Sequence, residues 1–439
     1  MDDLRRPVTA YFDQIWGPPE NTSWIDESMS WKETCYIGDW SFVIDRRFTG
    51  PDVLRLFSDI SVNSMENFKV GNSKHVIHCS EEGKVIEQGV LSRFPDDVFV
   101  SMGTCAFWAE HIARRDGYDV QVEAADLFKF QVQGPSALFL LERVAGEDLR
   151  DVRYMRFRDV TIAGHKVHAL RQGMSGEIGF ELQGPRELGE EIWNTIFEVG
   201  QEFGIRRLGG RVSMINHLEA CVPSATTDYL PAIYDETHAD YRQFLAEIDP
   251  VRYKRSHAIA GSFDADDVSA WYRSPVDLGW TRQIKFDHEF TGRKVLEEEM
   301  ANPKRTMRTL VWNPEDITSL YTALFDKDNP LPDFMEVPRD RRGYMYADAV
   351  NQGGQLVGVS TSRGYSAYFR EVISLCSIDV AQSEPGTEVT VTWGAPGTRQ
   401  TEIRATVQRA PYKTNRGNTD LATLPPTWQD YQELLATTN

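Results

Sequence analysis

The chain has no run approaching the ~20 apolar residues that a bilayer-spanning helix needs, which excludes an ordinary helical membrane protein. Its N-terminus, "MDDLRRPVTAYFDQIW", lacks an apolar signal core with a small-residue cleavage site. Cysteine is scarce. Cys35, Cys79, Cys105, Cys221 and Cys376 make five, an odd number, far apart and without a C-x-x-C pair. Such usage argues against a disulfide framework or a zinc site, and it points to a soluble protein in a reducing cytoplasm with no metal. Positive charge is also short: 47 Lys and Arg face 66 Asp and Glu, for a net charge of −19. Binding a phosphate backbone needs clustered Lys and Arg, so neither nucleic acid nor a membrane is the expected partner. The motifs G-x-S-x-G and H-E-x-x-H are missing as well, so nothing points to a serine hydrolase or a zincin.

What is present reads as globular. Hydrophobic residues make up 41% and aromatics 11% of 439 residues, enough for two or three domains. The first ~30 residues read as irregular. "GPDVLRLFSDISVN" carries an apolar stripe at helical spacing, with Pro51 in the first turn. "KHVIHCSEEGKVIEQGVLSRFPDDVFVSMG" alternates and turns twice, as antiparallel strands do. Helices and strands then mix without regular βαβ alternation, so the expected class is α+β. After Asn302 the chain shifts to short strands punctuated by Gly and Pro, which predicts an all-β, barrel-like region. The expected division is an α+β core over 1–300, in two intertwined subdomains, a barrel-like domain over 305–412, and a tail over 413–439 with a short docking helix.

"RQGMSGEIGFELQGP" raises the functional question. Gly173, Gly176 and Gly179 follow G-x-x-G-x-x-G, not the dinucleotide pattern G-x-G-x-x-G. They deliver a lone acid, Glu181, onto an apolar strand. Either it faces solvent or it meets a ligand with paired N–H donors. His165 and His168 in "HKVH" fall on opposite faces of a strand, so they make no metal pair.

Several stretches, in order, resemble the aminomethyltransferase family, the T-protein of glycine cleavage and its relatives. "FQVQGPSA" is similar to that family's A-x-Q-G-P-x-A, and "GMSGEIGFE" to G-Y-T-G-E-D-G-F-E. "LGGRVS" is similar to L-G-A-R-D-S, and "SPVDLGW" to T-P-V-E-A-x-L-x-W. "VGVSTSRGYSAYF" and "PGTEVTV" resemble motifs of its C-terminal barrel, so the likeness runs from about residue 35 to residue 412. "TIAGHKV", "LRQGMSG", "LPAIY" and "IKFDHEFTGR" carry a closer likeness to the tetrahydrofolate-dependent aryl O-demethylases of lignin-type aromatics.

The resemblance implies a T-protein-like folate-binding core, with tetrahydrofolate as cofactor. Glu181 takes the place of the family glutamate that pairs with the pterin. One carboxylate accepts the ring N–H and the adjacent amino group together. Tyr154 falls where the O-demethylases place an aromatic beside the folate, and Gln131 lies in the A-x-Q-G-P stretch. Departures from the pattern are equally specific. Phe42 stands at the family's histidine, Gln88 at its catalytic aspartate, Ser213 at the O-demethylases' proposed general-acid tyrosine, and Thr104 at their carboxylate-binding arginine. Arg211 is retained. Ser213, Gln88 and Arg211 are therefore the catalytic candidates, and Phe42 and Thr104 the substrate-binding ones.

A serine is a poor proton donor to a phenolate, and the loss of an arginine disfavours a benzoate. The expectation is a folate-dependent O-demethylase or methyltransferase acting on a neutral methoxylated aromatic. Two alternatives stay open: a folate-independent lyase releasing formaldehyde from an aromatic dimer, and a non-catalytic folate or aromatic binder. The oligomeric state is not legible in the sequence.

Overall fold

Alternation along single strands decides how the chain packs. In the strand Glu371–Asp379, Val372, Cys376 and Ile378 join one apolar cluster, with Leu310, Val350 and Val391. Ile373 and Leu375 join another, with Leu218, Tyr229 and Val276. Successive side chains point to opposite faces of a strand, so this one serves two cores at once. The computed structural model describes residues 18–249, 258–340 and 344–438.

Three larger β structures organise those residues, beside a two-stranded parallel pair of Ala258–Ala260 and Tyr344–Tyr346. A six-stranded sheet runs, in spatial order, Ile205–Arg207, Cys35–Asp39, Leu127–Gln133, Gly179–Pro185, His165–Leu170 and Phe157–Ile162. Only its Cys35–Asp39/Ile205–Arg207 pair is parallel. A five-stranded antiparallel sheet runs Ser73–Cys79, Val85–Arg93, Phe99–Met102, Asp45–Thr49 and Gln121–Ala124. A closed barrel of six strands follows, all between Arg305 and Gln408. Closure leaves the barrel without an open edge. The α+β class and the C-terminal barrel expected from the sequence are both present.

Helices cover the sheets through their apolar stripes. Cys105–Arg115 is buried along nearly its whole length, with Phe107, Trp108 and Ile112 in the core of the five-stranded sheet. Ala137–Ala145 and Gly189–Gly200 pack on the six-stranded sheet through Leu138, Leu141, Ile192 and Ile196. The C-terminal helix Trp428–Thr438 docks on the same layer, with Trp428 and Tyr431 5.9 and 5.8 Å from the Phe139 ring. No helix among the described residues is long and apolar enough to cross a membrane.

Two elements differ from the sequence reading. Of the first ~30 residues, 1–17 lie outside the described residues, but Trp24–Glu33 is a helix, not irregular chain. Ser23 caps it by accepting from the Asp26 N–H, a local signal masked by the weak apolar periodicity of "WIDESMSWKE". A second helix, Pro314–Ala323, interrupts the barrel strands. Asn313 accepts from the Asp316 N–H and Pro314 takes the first turn, so "NPED" is a helix start that the surrounding strand pattern obscured.

Candidate active site

The strand Gly179–Pro185 pairs with Leu127–Gln133 so that Glu181 lies opposite Gln131. This register puts the alternate residues Lys129, Gln131, Gln133, Glu181 and Gln183 on one face, all 3% exposed or less. Their polar ends converge. Glu181 Oε1 accepts from Gln183 Nε2 at 2.8 Å. Its Oε2 accepts from Gln172 Nε2 at 2.9 Å and Gln131 Nε2 at 3.3 Å. The direction of this chain is set at its far end. Ser175 donates its backbone N–H to Gln133 Oε1 at 3.1 Å. Gln133 Nε2 must then donate to Gln131 Oε1, 3.1 Å away, and Gln131 donates onward to Glu181. Backbone chemistry therefore fixes every amide orientation up to the carboxylate.

The glycines explain themselves here. A Cβ on Gly173 would lie 2.2 Å from the Gln133 amide, and one on Gly179 2.5 Å from its Cγ. The bend is glycine-rich because the Gln133 side chain runs beneath it.

Glu181 forms part of the wall of a cavity of about 590 Å³ between the two sheets. Below it, Lys129 Nζ pairs with Asp45 Oδ2 at 2.7 Å, both fully buried. Burial pulls each partner toward its neutral form, Asp45 up to about 6 and Lys129 downward, while their mutual attraction opposes it. Across the cavity, Gln88 Oε1 lies 2.7 Å from His75 Nε2, and the His75 ring meets Trp280 edge-on at 5.0 Å. Burial lowers the His75 pKa and keeps that imidazole neutral. Trp40 and His217 form a third side, stacked at 6.5 Å and 18°. Cys221 also borders the space, but burial pushes its thiol up to about 12, so it supplies no thiolate.

Of the sequence candidates, Gln88, Gln131, Tyr154 and Glu181 line this cavity. Tyr154 is 42% exposed, at the rim. Four others do not line it. Phe42 packs against a cluster of Trp31, Tyr36 and Trp40. Thr104 precedes the helix Cys105–Arg115 and donates its hydroxyl to Glu87. Arg211 pairs with Glu20 at 2.7 Å and donates to the Val337 carbonyl. Ser213 is fully buried and donates to the Gly210 carbonyl at 3.0 Å. His75 and His217 are cavity residues that the sequence reading missed. A hairpin turning at Glu82-Gly83 brings "KHVIHC" beside "VIEQGV", which was the available signal for His75. His217 lies four residues beyond Ser213, one helical turn away. Among the described residues, no group of three or more His, Cys, Asp and Glu is placed to hold a metal ion.

Residues 5–235 match the family model of the GCVT N-terminal domain. The chain belongs to the GCVT family. It is 33% identical to a sesamin methylene transferase of a Sinomonas species, over 93% of both chains. It is 30% identical to a syringate O-demethylase of a Sphingobium species, over 90% of this chain and 89% of the relative. The solved glycine cleavage system aminomethyltransferase T from Bartonella henselae shares the fold, with a TM-score of 0.63 at 17% identity, covering 94% and 96% of the two chains. Like the GCVT relatives, this chain is an enzyme, a one-carbon transferase.

Proposed function

We propose that this GCVT enzyme removes a methyl or methylene carbon from a neutral aromatic ether and passes it to tetrahydrofolate. On this reading it is a cytoplasmic O-demethylase or methyltransferase of lignin-type aromatic catabolism. The observation that carries the reading is Glu181, a buried carboxylate on the cavity wall whose hydrogen-bond partners are glutamine amides. A carboxylate has about four acceptor directions, and three N–H donors occupy it here. The free direction is on Oε1, and the longest bond, from Gln131, is the one most readily exchanged. Paired pterin donors therefore fit this group, and charge-assisted bonds reward the exchange. Tyr154 at the rim offers a face for stacking. Arg282 and Lys285, exposed residues bordering the cavity, offer cations to the carboxylate tail of a folate.

Bound tetrahydrofolate supplies the nucleophilic nitrogen that accepts the carbon. The chain's own residues hold and shield the reactants. The charged residues of the wall are Glu181, Lys129, which pairs with Asp45 behind it, and the half-buried Lys74, with Arg282 and Lys285 at the edge. A substrate carboxylate entering beside Glu181 meets a like charge, and the nearest cation, Lys129, is already paired with Asp45, so burial there is costly. That supports a neutral aromatic; the names of the two relatives support aromatic ethers in general, with sesamin neutral and syringate a carboxylate.

The test is turnover of a neutral methoxyphenol, and of its carboxylated counterpart, with and without tetrahydrofolate. The expected result is demethylation only with folate, with a one-carbon-loaded folate as co-product and the neutral compound favoured. Formaldehyde release without folate would move the lyase reading ahead. No turnover, with binding intact, would leave a binder. Fast turnover of the acid would show that a carboxylate anchor lies elsewhere.

A further inference from the structure

The helix Ile215–Ala220 fixes the tautomer of a cavity imidazole from two sides. His217 Nδ1 lies 2.8 Å from Asn216 Oδ1 and 3.2 Å from the Ser213 carbonyl oxygen. The Asn216 amide is itself oriented, because its Oδ1 accepts the His217 backbone N–H at 2.8 Å and its Nδ2 donates to the Tyr36 hydroxyl at 3.1 Å. Both neighbours of Nδ1 are thus acceptors, so Nδ1 carries the proton and Nε2 carries a lone pair. Burial holds this imidazole near 4, so it is neutral across the physiological range. Nε2 makes no hydrogen bond among the described residues, and it is not among the sealed, partnerless buried atoms. Since His217 borders the cavity beside Trp40, its one remaining polar function is an acceptor next to an aromatic wall.

A carbonyl, an ether or a carboxylate gains nothing from such an atom, because it brings no proton. A hydroxyl does. We propose that His217 is a specificity-determining residue whose Nε2 accepts a hydrogen bond from a free phenolic hydroxyl of the substrate. The site then favours phenols over the same ring with every hydroxyl etherified. This rests on the aromatic-ether reading above, and it narrows the substrate class to methoxyphenols. An unmatched ligand leaves Nε2 dry and unpaired, which is where the discrimination arises.

Titration calorimetry of the full chain with 2-methoxyphenol and 1,2-dimethoxybenzene tests it, since the two ligands differ only in that hydroxyl. The unaltered protein is expected to bind the phenol about tenfold more tightly. His217→Phe, which keeps a ring and removes the acceptor, should abolish the preference by weakening the phenol alone. His217→Gln, which restores an acceptor oxygen, should recover part of it. Equal binding of both ligands by the unaltered protein overturns the proposal and leaves the aromatic-ether reading standing. So does a preference that survives in His217→Phe. Binding of neither ligand, with tetrahydrofolate bound normally, overturns both. Should His217→Phe fail to fold, nitrogen-15 spectra of the labelled histidines in the unaltered protein decide. The Nε2 resonance of His217 should move on adding the phenol and stay fixed with the diether, and equal responses to the two ligands overturn the proposal.

Discussion

The six-stranded sheet and the barrel bury polar groups in opposite styles. Inside the barrel the buried polar side chains are mostly short hydroxyls. Ser360 and Ser374 share a hydrogen bond of 2.7 Å, and the Trp312 indole N–H donates to Ser374 at 2.9 Å. The six-stranded sheet buries long side chains instead: Lys129, Gln131, Gln133, Glu181 and Gln183. Long polar chains cost rotamer entropy and desolvation that an apolar residue of the same volume avoids. Two of them, Gln131 and Gln183, donate to a single carboxylate, Glu181, at a cavity wall. The barrel's hydroxyls need no purpose beyond completing a core. On the function proposed above, the sheet's glutamine row prepares an oriented acceptor for a ligand.

The largest expected effect is that of a truncation inside the barrel, which tests whether the barrel only supports the fold. Trp312 is 1% exposed and lies 6.2 Å from the Trp393 ring. Trp312→Ala should cost about 3–5 kcal/mol of stability, read from the denaturant midpoint. The fraction that stays folded should bind tetrahydrofolate normally. A parallel loss of folate affinity would show that the barrel does more than support.

Next in size is the converse change. Glu181→Gln presents an amide donor to the pterin's own donors, and it should weaken tetrahydrofolate binding by roughly 2–4 kcal/mol by titration calorimetry. Unchanged affinity would remove Glu181 from the folate site.

Acid should separate the two regions by sign. All nine histidines precede the barrel strands. Burial lowers His78 and His217 from the ordinary 6.5 to about 4. The unfolded chain therefore takes up protons at a pH where the folded one does not, and stability drains as pH falls from 6.5 to 4. Each group contributes about 3 kcal/mol to that loss. Asp45, raised to about 6, offsets part of it. In the barrel, burial raises Asp348 from 3.8 to about 7. A folded-state pKa above the unfolded value means that stability is gained as pH falls through 7 toward 3.8. Hydrogen exchange, corrected for its intrinsic pH dependence, should show the sheets losing protection below pH 6.5 while the barrel strands keep theirs. His78→Leu should flatten the first trend. Uniform loss across both regions would contradict the assignment.

The smallest effect belongs to the rim. Tyr154→Ala should weaken folate binding by about 1 kcal/mol, the size of a lost stacking contact. Stability should not change, because the ring is 42% exposed.

Much of the fold was legible in the sequence because its signals are local. Alternation in "REVISLCSIDV" and "TEVTVTW" marked barrel strands, and turn residues marked the hairpins. The helices at Trp24 and Pro314 were missed because their starts are single capping side chains, set against weak or contrary periodicity. Glu181 was legible from its glycine-rich approach and its likeness to a family motif.

The sequence by itself determined the strand faces, the family motifs and the carboxylate, since each depends on neighbours a few residues away. Only the tertiary structure decided the company Glu181 keeps. Its amides come from Gln131, Gln172 and Gln183, and that of Gln131 is oriented through Gln133 by the Ser175 backbone N–H. Tertiary structure likewise decided that Ser213 turns away from the cavity while His217, one turn later, borders it. Motif matching assigns positions along the chain. Which side chain reaches a cavity depends on strand register, helix phase and the packing of distant elements, and these are fixed only when the whole chain has folded.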